Sequence, residues 1–143
     1  MIALVNVYLR RDVYWVCTNS KALAGFWVTD GFETVELAAS DLTLGEAVLR
    51  ARDAARAGIP NPPRSGPTPF QPVLQAAGVK NWAQFVKGTV ACQVEFELDR
   101  VIVVPQRRDG PGWSARREGS RVVDSPDSEQ LGVAVHRVLD EAS

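Results

Sequence analysis

The chain has 143 residues, 16 basic and 17 acidic side chains and a formal charge of −1, so nothing in its overall charge attracts nucleic acid or an anionic membrane. A chain of this length buries roughly 70% of its extended surface on folding and forms one domain, 1–143, without a disulfide or metal staple. Cys17 and Cys92 lie far apart in apolar runs with no CxxC or Cys/His spacing, and read as two reduced, buried thiols.

The opening MIALVNVYLRRDVYW has no basic n-region, apolar h-region and small-residue cleavage site in sequence. No run approaches the roughly 18–20 apolar residues of a membrane span. A soluble, cytoplasmic protein with no membrane partner is expected.

LVNVYLRRDVYWVCT supplies two strand-like runs meeting at Arg11-Asp12. A Gly-aromatic turn at Gly25-Phe26 leads into the strand-like GFWVTDGFETVEL, then Ser40 or Asp41 caps a helix. On that helix Leu44, Ala47, Val48, Ala51 and Ala55 share one face, and Glu46 and Arg50 are spaced for an exposed i,i+4 pair. Gly45, a poor helix former, suggests close packing of the helix start on a sheet.

The next fifteen residues, GIPNPPRSGPTPFQP, hold six of the nine prolines and two glycines, and predict an extended surface segment. VLQAAGVKNWAQFVKG reads as two short helices, the first stopped by Gly78 and the second capped by Asn81, with Trp82 and Phe85 as i,i+3 anchors.

The chain then repeats itself. LGVAVHRVLDEA (131–142) matches LGEAVLRARDAA (44–55) at seven of twelve positions, at an offset of 87. The same offset sets Asp12 on Asp99, Gly25 on Gly112, Phe26 on Trp113 and Val35 on Val122. VACQVEFELDRVIVVP is a second hairpin meeting at Asp99-Arg100. There Cys92, Val94, Phe96 and Leu98 alternate with Gln93, Glu95, Glu97 and Asp99, an apolar face against a wet one. Asp127 or Ser128 caps a final helix with Leu131, Ala134, Val135, Val138 and Ala142 on its apolar face. The expected fold class is α+β: a mainly antiparallel sheet from two similar hairpin-plus-helix halves, 1–58 and 89–143, with helices packed on it. The Pro-rich segment and helical pair, 59–88, cap one end.

Chemistry is sparse. His136 aligns with Leu49 on the flank of a helix face, and a lone histidine there is ordinarily structural. Glu95 and Glu97 are the best local carboxylate pair, but the three lysines (Lys21, Lys80, Lys87) do not follow an acid at nuclease spacing. There is no GxGxxG or Walker loop. No enzyme, cofactor or metal is expected; a hydrolase around His136 or around Glu95 and Glu97 is the least favoured reading.

Charge is segregated. From Val28 to Val48 there are five acids, Asp30, Glu33, Glu36, Asp41 and Glu46, and no base. From Arg100 to Arg121 there are six arginines, Arg100, Arg107, Arg108, Arg116, Arg117 and Arg121, against Asp109 and Glu118. Charge runs are commonly solvated faces. Otherwise the acids, with Trp27 as an aromatic anchor, form a docking surface for a basic partner. The alternative is a nucleic-acid-binding regulator using Arg107, Arg108, Arg116, Arg117 and Arg121, although Trp113 is the lone stacking platform there.

The ordered set YLRRDVYWVCTNSKALAGFWV, LGEAVLRA, IPNPP, VLQAAGVKNWAQFVKG, VIVVP, GPGW and LGVAV resembles the immunity proteins of contact-dependent growth inhibition systems, over essentially the whole chain. The resemblance implies a non-enzymatic cytoplasmic protein that forms a tight one-to-one complex with the C-terminal domain of a cognate toxin. Such toxins are often nucleases, with tRNA a frequent target. No site residue carries over from the resemblance; the expected toxin interface, Trp27, Asp30, Glu33, Glu36, Asp41 and Glu46, rests on charge alone, with Trp27 added as an aromatic that follows a turn.

Overall fold

A computed structural model describes residues 1–110 and 112–142. Among the described residues eight strands and four helices follow one another as β1 (Ala3–Arg10), β2 (Val13–Ala22), β3 (Trp27–Glu36), α1 (Asp41–Asp53), β4 (Ala57–Ile59), α2 (Gln71–Ala77), α3 (Trp82–Val86), β5 (Thr89–Phe96), β6 (Arg100–Asp109), β7 (Gly112–Ala115), β8 (Arg121–Asp124) and α4 (Ser128–Ala142). The strands form one sheet in the order β3-β2-β1-β5-β6-β7, with β8 also beside β6 and the short β4 pairing parallel with the end of β2. All other pairings are antiparallel. The architecture is the expected α+β sheet of two similar halves.

The first hairpin turns where Arg11 and Asp12 both take positive φ, 49° and 63°. Two left-handed residues give a turn whose twist matches that of the flanking strands. The second hairpin turns one residue earlier than expected. Glu97 N–H donates to the Arg100 carbonyl at 2.9 Å, leaving Leu98 at the tip and 92% exposed instead of on the apolar face.

The helices begin as their caps predict. Ser40 Oγ accepts from Thr43 N–H at 3.1 Å. Asp127 accepts from Gln130 N–H at 2.8 Å, and the Gln130 side chain accepts Asp127 N–H at 3.1 Å, a reciprocal cap that satisfies two otherwise orphaned donors. Gly78 stops α2 at φ 72°, and Asn81 caps α3 by accepting from Gln84 N–H.

One face of the sheet carries α1 and α4. Val5, Val7, Tyr14, Val16, Cys92, Val94 and Val103 from the strands meet Leu44, Val48, Leu131, Val135 and Leu139 from the helices. Each such side chain contributes about 1.5–3 kcal/mol on full burial. Ala55 and Ala142, expected on the helix faces, are only half-buried, and Ala55 lies past the end of α1.

Gly45 and Gly132 correct the expectation that the helix starts pack on the sheet. They pack on each other's helices. A Cβ on Gly45 would lie 1.7 Å from the Ser128 carbonyl oxygen, and one on Gly132 would lie 1.7 Å from that of Asp41. The strand register carries the same relation. β1 and β5 pair with Asn6 opposite Gln93, and these residues too are 87 apart in sequence. A local two-fold axis therefore runs through the Asn6–Gln93 pair and the Gly45–Gly132 crossing. The two halves differ at the edge: β3 is continuous, whereas its counterpart is broken into β7 and β8.

The central helical pair packs on the opposite face of the sheet rather than at one end. Tyr8, Trp15, Cys17 and Ala91 from the strands meet Val73, Leu74, Phe85 and Val86. Tyr8 is ringed by Phe70, Trp82, Phe85 and Trp113 at centroid separations of 5.5–6.4 Å, all edge-on. Edge-to-face packing sets the positive rim of one ring against the negative face of the next. The side of β5 expected to be wet is accordingly largely covered: Ala91 is buried there and Glu95 is only 7% exposed.

Candidate interaction surface

β3 carries three of the five predicted acids, and two of them are held within the molecule. The register of β2 and β3 shifts between Cys17 and Asn19, where β3 holds one extra residue, and Gly31 sits there with φ 103°. This bulge turns Asp30 toward the helix side of the sheet. Its carboxylate takes the Arg56 fork, Nε to Oδ2 and Nη2 to Oδ1, both at 2.9 Å. The buried Ser20 hydroxyl donates to Oδ2 at 2.6 Å and accepts the Arg56 backbone N–H at 2.9 Å. These bonds, from Arg56 first and Ser20 second, hold the Asp30 carboxyl below the usual carboxylate range.

Glu33 takes a second fork from Arg50, Nε to Oε1 at 2.9 Å and Nη2 to Oε2 at 3.0 Å. The expected Glu46–Arg50 pair is thus replaced by a strand-to-helix bridge. Glu46 contributes only to the favourable field at Arg50, behind the hydrogen bond and charge of Glu33. The stretch 28–48 contains no base, but Arg50 and Arg56, just beyond it, fold back onto it.

Asp41 begins α1 beside α4, with Oδ1 3.5 Å from Nδ1 of the exposed His136. Glu36 and Glu46 are exposed and make no ion pair among the described residues. Trp27 is half-buried at the start of β3, with Lys21 Nζ 5.1 Å from its ring centroid. Trp27 and Glu36 lie on the sheet face opposite Glu33, at the two ends of a strand that spans roughly 30 Å. The structure therefore gathers Asp30, Glu33, Asp41 and Glu46 on the helix side, and leaves Trp27 and Glu36 apart from them and from each other.

The arginines divide likewise. Arg117 bonds to Glu95 at 3.0 Å and Arg121 to Glu141 at 2.7 Å. Arg107, Arg108 and Arg116 are exposed, with no acidic partner among the described residues. Glu97, the other half of the carboxylate pair, accepts the Met1 ammonium at 3.0 Å. Burial pushes the Cys17 thiol up to about 12, and raises that of Cys92 as well, so both stay protonated and inert at neutral pH. Among the described residues no three His, Cys, Asp or Glu side chains are grouped as metal ligands. No described helix is long and apolar enough to cross a membrane.

The two forks tie β3 to α1 through Arg50 and to the segment after α1 through Arg56, and Glu36 and Glu46 remain exposed.

No family model matches the sequence, and no curated protein matches it. The fold does match solved structures. A protein of unknown function from Neisseria meningitidis superposes with a TM-score of 0.78 at 14% identity, covering 99% of this chain and 95% of the other. A chain of the CdiA-CT/CdiI toxin and immunity complex from Yersinia pseudotuberculosis superposes with a TM-score of 0.77 at 15% identity, covering 98% and 96%. At such identities the likeness is one of fold. The chain has the fold of a component of a toxin–immunity complex.

Proposed function

We propose that the chain is an immunity protein that binds a cognate contact-dependent growth-inhibition toxin domain, a nuclease, and blocks it in a tight one-to-one complex in the cytoplasm. The observation that carries this reading is the end-to-end fold likeness to a chain of a toxin and immunity complex. It joins an independent resemblance in the order of sequence segments across the same length.

A nuclease cleft is cationic because it holds a polyanion, so an acidic inhibitor speeds encounter and selects its partner. Glu36, Glu46 and Asp41 are the acids whose carboxylates are not already held by an arginine fork. Asp30 and Glu33 would engage a partner by exchanging Arg56 and Arg50, and Trp27 would anchor a separate contact.

The test is co-expression with the toxin C-terminal domain encoded beside this chain. Survival of the cells and elution of a stable heterodimer are expected. Growth arrest with no complex would remove the reading. Given a complex, charge reversal of Glu36, Asp41 and Glu46 is expected to weaken it; undiminished binding would place the interface elsewhere.

A further inference from the structure

Arg10 ends β1 on the sheet face covered by α2 and α3, in the diagonal place next to Trp15. It is 7% exposed. Its guanidinium lies 5.8 Å from the centre of the Phe85 ring. Its Nε–H is buried without an acceptor. Among the described residues no carboxylate pairs with it, and Thr89, its neighbour on β5, gives its hydroxyl to the Phe85 carbonyl instead.

Contact with an aromatic face attracts a guanidinium only modestly. Removing an ion from water without a counter-charge opposes that more strongly. For stability alone, an unbranched apolar side chain would serve position 10 better. Arg11, which follows directly, deepens the imbalance. Lys87 lies just before β5, and Arg108 lies two places beyond Gln106 on the same face; all three are exposed, with no ion pair among the described residues. Burial, and then Arg11, lower the proton affinity of Arg10, although a guanidinium stays charged at any physiological pH. The acids nearest in register, Asp12 in the turn and Glu36 opposite Val13, form no ion pair with it.

We propose that Arg10 is a socket for a carboxylate carried by a protein partner, seated against Phe85 at the end of the sheet formed by the β1–β2 turn and the start of β5. A guanidinium fork matches a carboxylate in a planar, two-bond geometry. The occupant is a protein side chain and not a nucleic-acid strand for two reasons. The rings beside Arg10, Phe85 and Trp15, are buried and offer no face for stacking, whereas a strand needs exposed aromatic platforms along a basic track. Glu36, two strands away in the same row across Val13, would repel a polyanion but accept a cation from a protein surface that also presents a carboxylate. The socket is read from Arg10 alone and stands whether or not the partner is a toxin.

The test compares urea unfolding of the full chain and its Arg10→Met variant in sodium acetate, in sodium chloride of equal ionic strength, and with a hexaglutamate peptide. A ligand that binds only the folded state raises its midpoint. In chloride the variant is expected to unfold at the same or a higher urea concentration than the parent. Acetate and the peptide are expected to raise the parent's midpoint and leave the variant's unchanged. In the unmodified chain, the Arg10 Nε–H NMR resonance is expected to move on acetate titration. A variant that unfolds earlier would make Arg10 a structural residue and end the proposal. So would equal shifts in both proteins, a motionless Nε–H, or a response to phosphate or a single-stranded oligonucleotide but not to acetate.

Discussion

Gly45 and the Ser128 carbonyl are so close that a single added methyl at position 45 would stand 1.7 Å from that oxygen. The mirror relation holds between Gly132 and the Asp41 carbonyl. The two helix backbones touch at their first turns, with no side chain between them.

Gly45→Ala and Gly132→Ala should therefore each force α1 and α4 apart. Alanine is the better helix former by up to about 1 kcal/mol, but backbone displacement in a packed core outweighs this. A net loss of about 2–3 kcal/mol is expected, measured as a lower urea midpoint. Unchanged stability in both variants would mean that the helices can slide freely.

The Asp30 carboxyl has a lower pKa folded than unfolded, so its stabilising contribution is complete above the unfolded carboxylate value of about 3.9 and fades as pH falls through the folded value. The stability gap between the parent and Asp30→Asn should be constant from pH 5 to 8 and narrow below pH 4. Ser20→Ala removes a donor to Asp30 and an acceptor for Arg56 N–H. It should lose about 1–2 kcal/mol at pH 7.

Cys17 and Cys92 are fully buried in opposite faces of the sheet. Neither should react with a disulfide reagent such as 5,5′-dithiobis-(2-nitrobenzoate) at pH 8 in the native state, and both should react in urea. Labelling of the native protein faster than it unfolds would contradict this burial.

Phe85 is the common neighbour of Tyr8, Trp15, Phe70 and Trp82. Phe85→Ala should lose about 3–5 kcal/mol, and near-ultraviolet circular dichroism should lose its tryptophan bands. Retention of those bands would show that the aromatic cluster holds without its centre.

The repeat was legible because the phrase Leu-Gly-x-Ala-Val survives in both copies, and the caps because Ser40, Asp127 and Asn81 act within three residues of themselves. The partner of Gly45 was not. A glycine in a helix announces that something approaches closely, and only tertiary structure says what. The internal partners of the acidic run were out of local view for a similar reason, since the arginines lie 17 and 26 residues away from Glu33 and Asp30. β4 has only three residues and no apolar alternation. Arg10 followed an apolar strand with an ordinary turn after it, and nothing local distinguished a buried guanidinium from a solvated one. Where the candidate surface rests on charges that meet through the fold, their accounts could be settled only in three dimensions.

The axis through Asn6–Gln93 and Gly45–Gly132 has a consequence for how such a molecule could arise. A chain of only the first half would present β1 where β1 now meets β5, with Asn6 facing its own copy. It would also present Gly45 where α1 now meets α4. Two identical half-chains would thus find both contacts already self-complementary, as an isologous dimer requires. Joined end to end, the pair needs a tether, and the Pro-rich stretch with its two short helices is that tether. The same tether covers the aromatic face of the sheet alone, so two halves that match across the axis give a molecule with a front and a back.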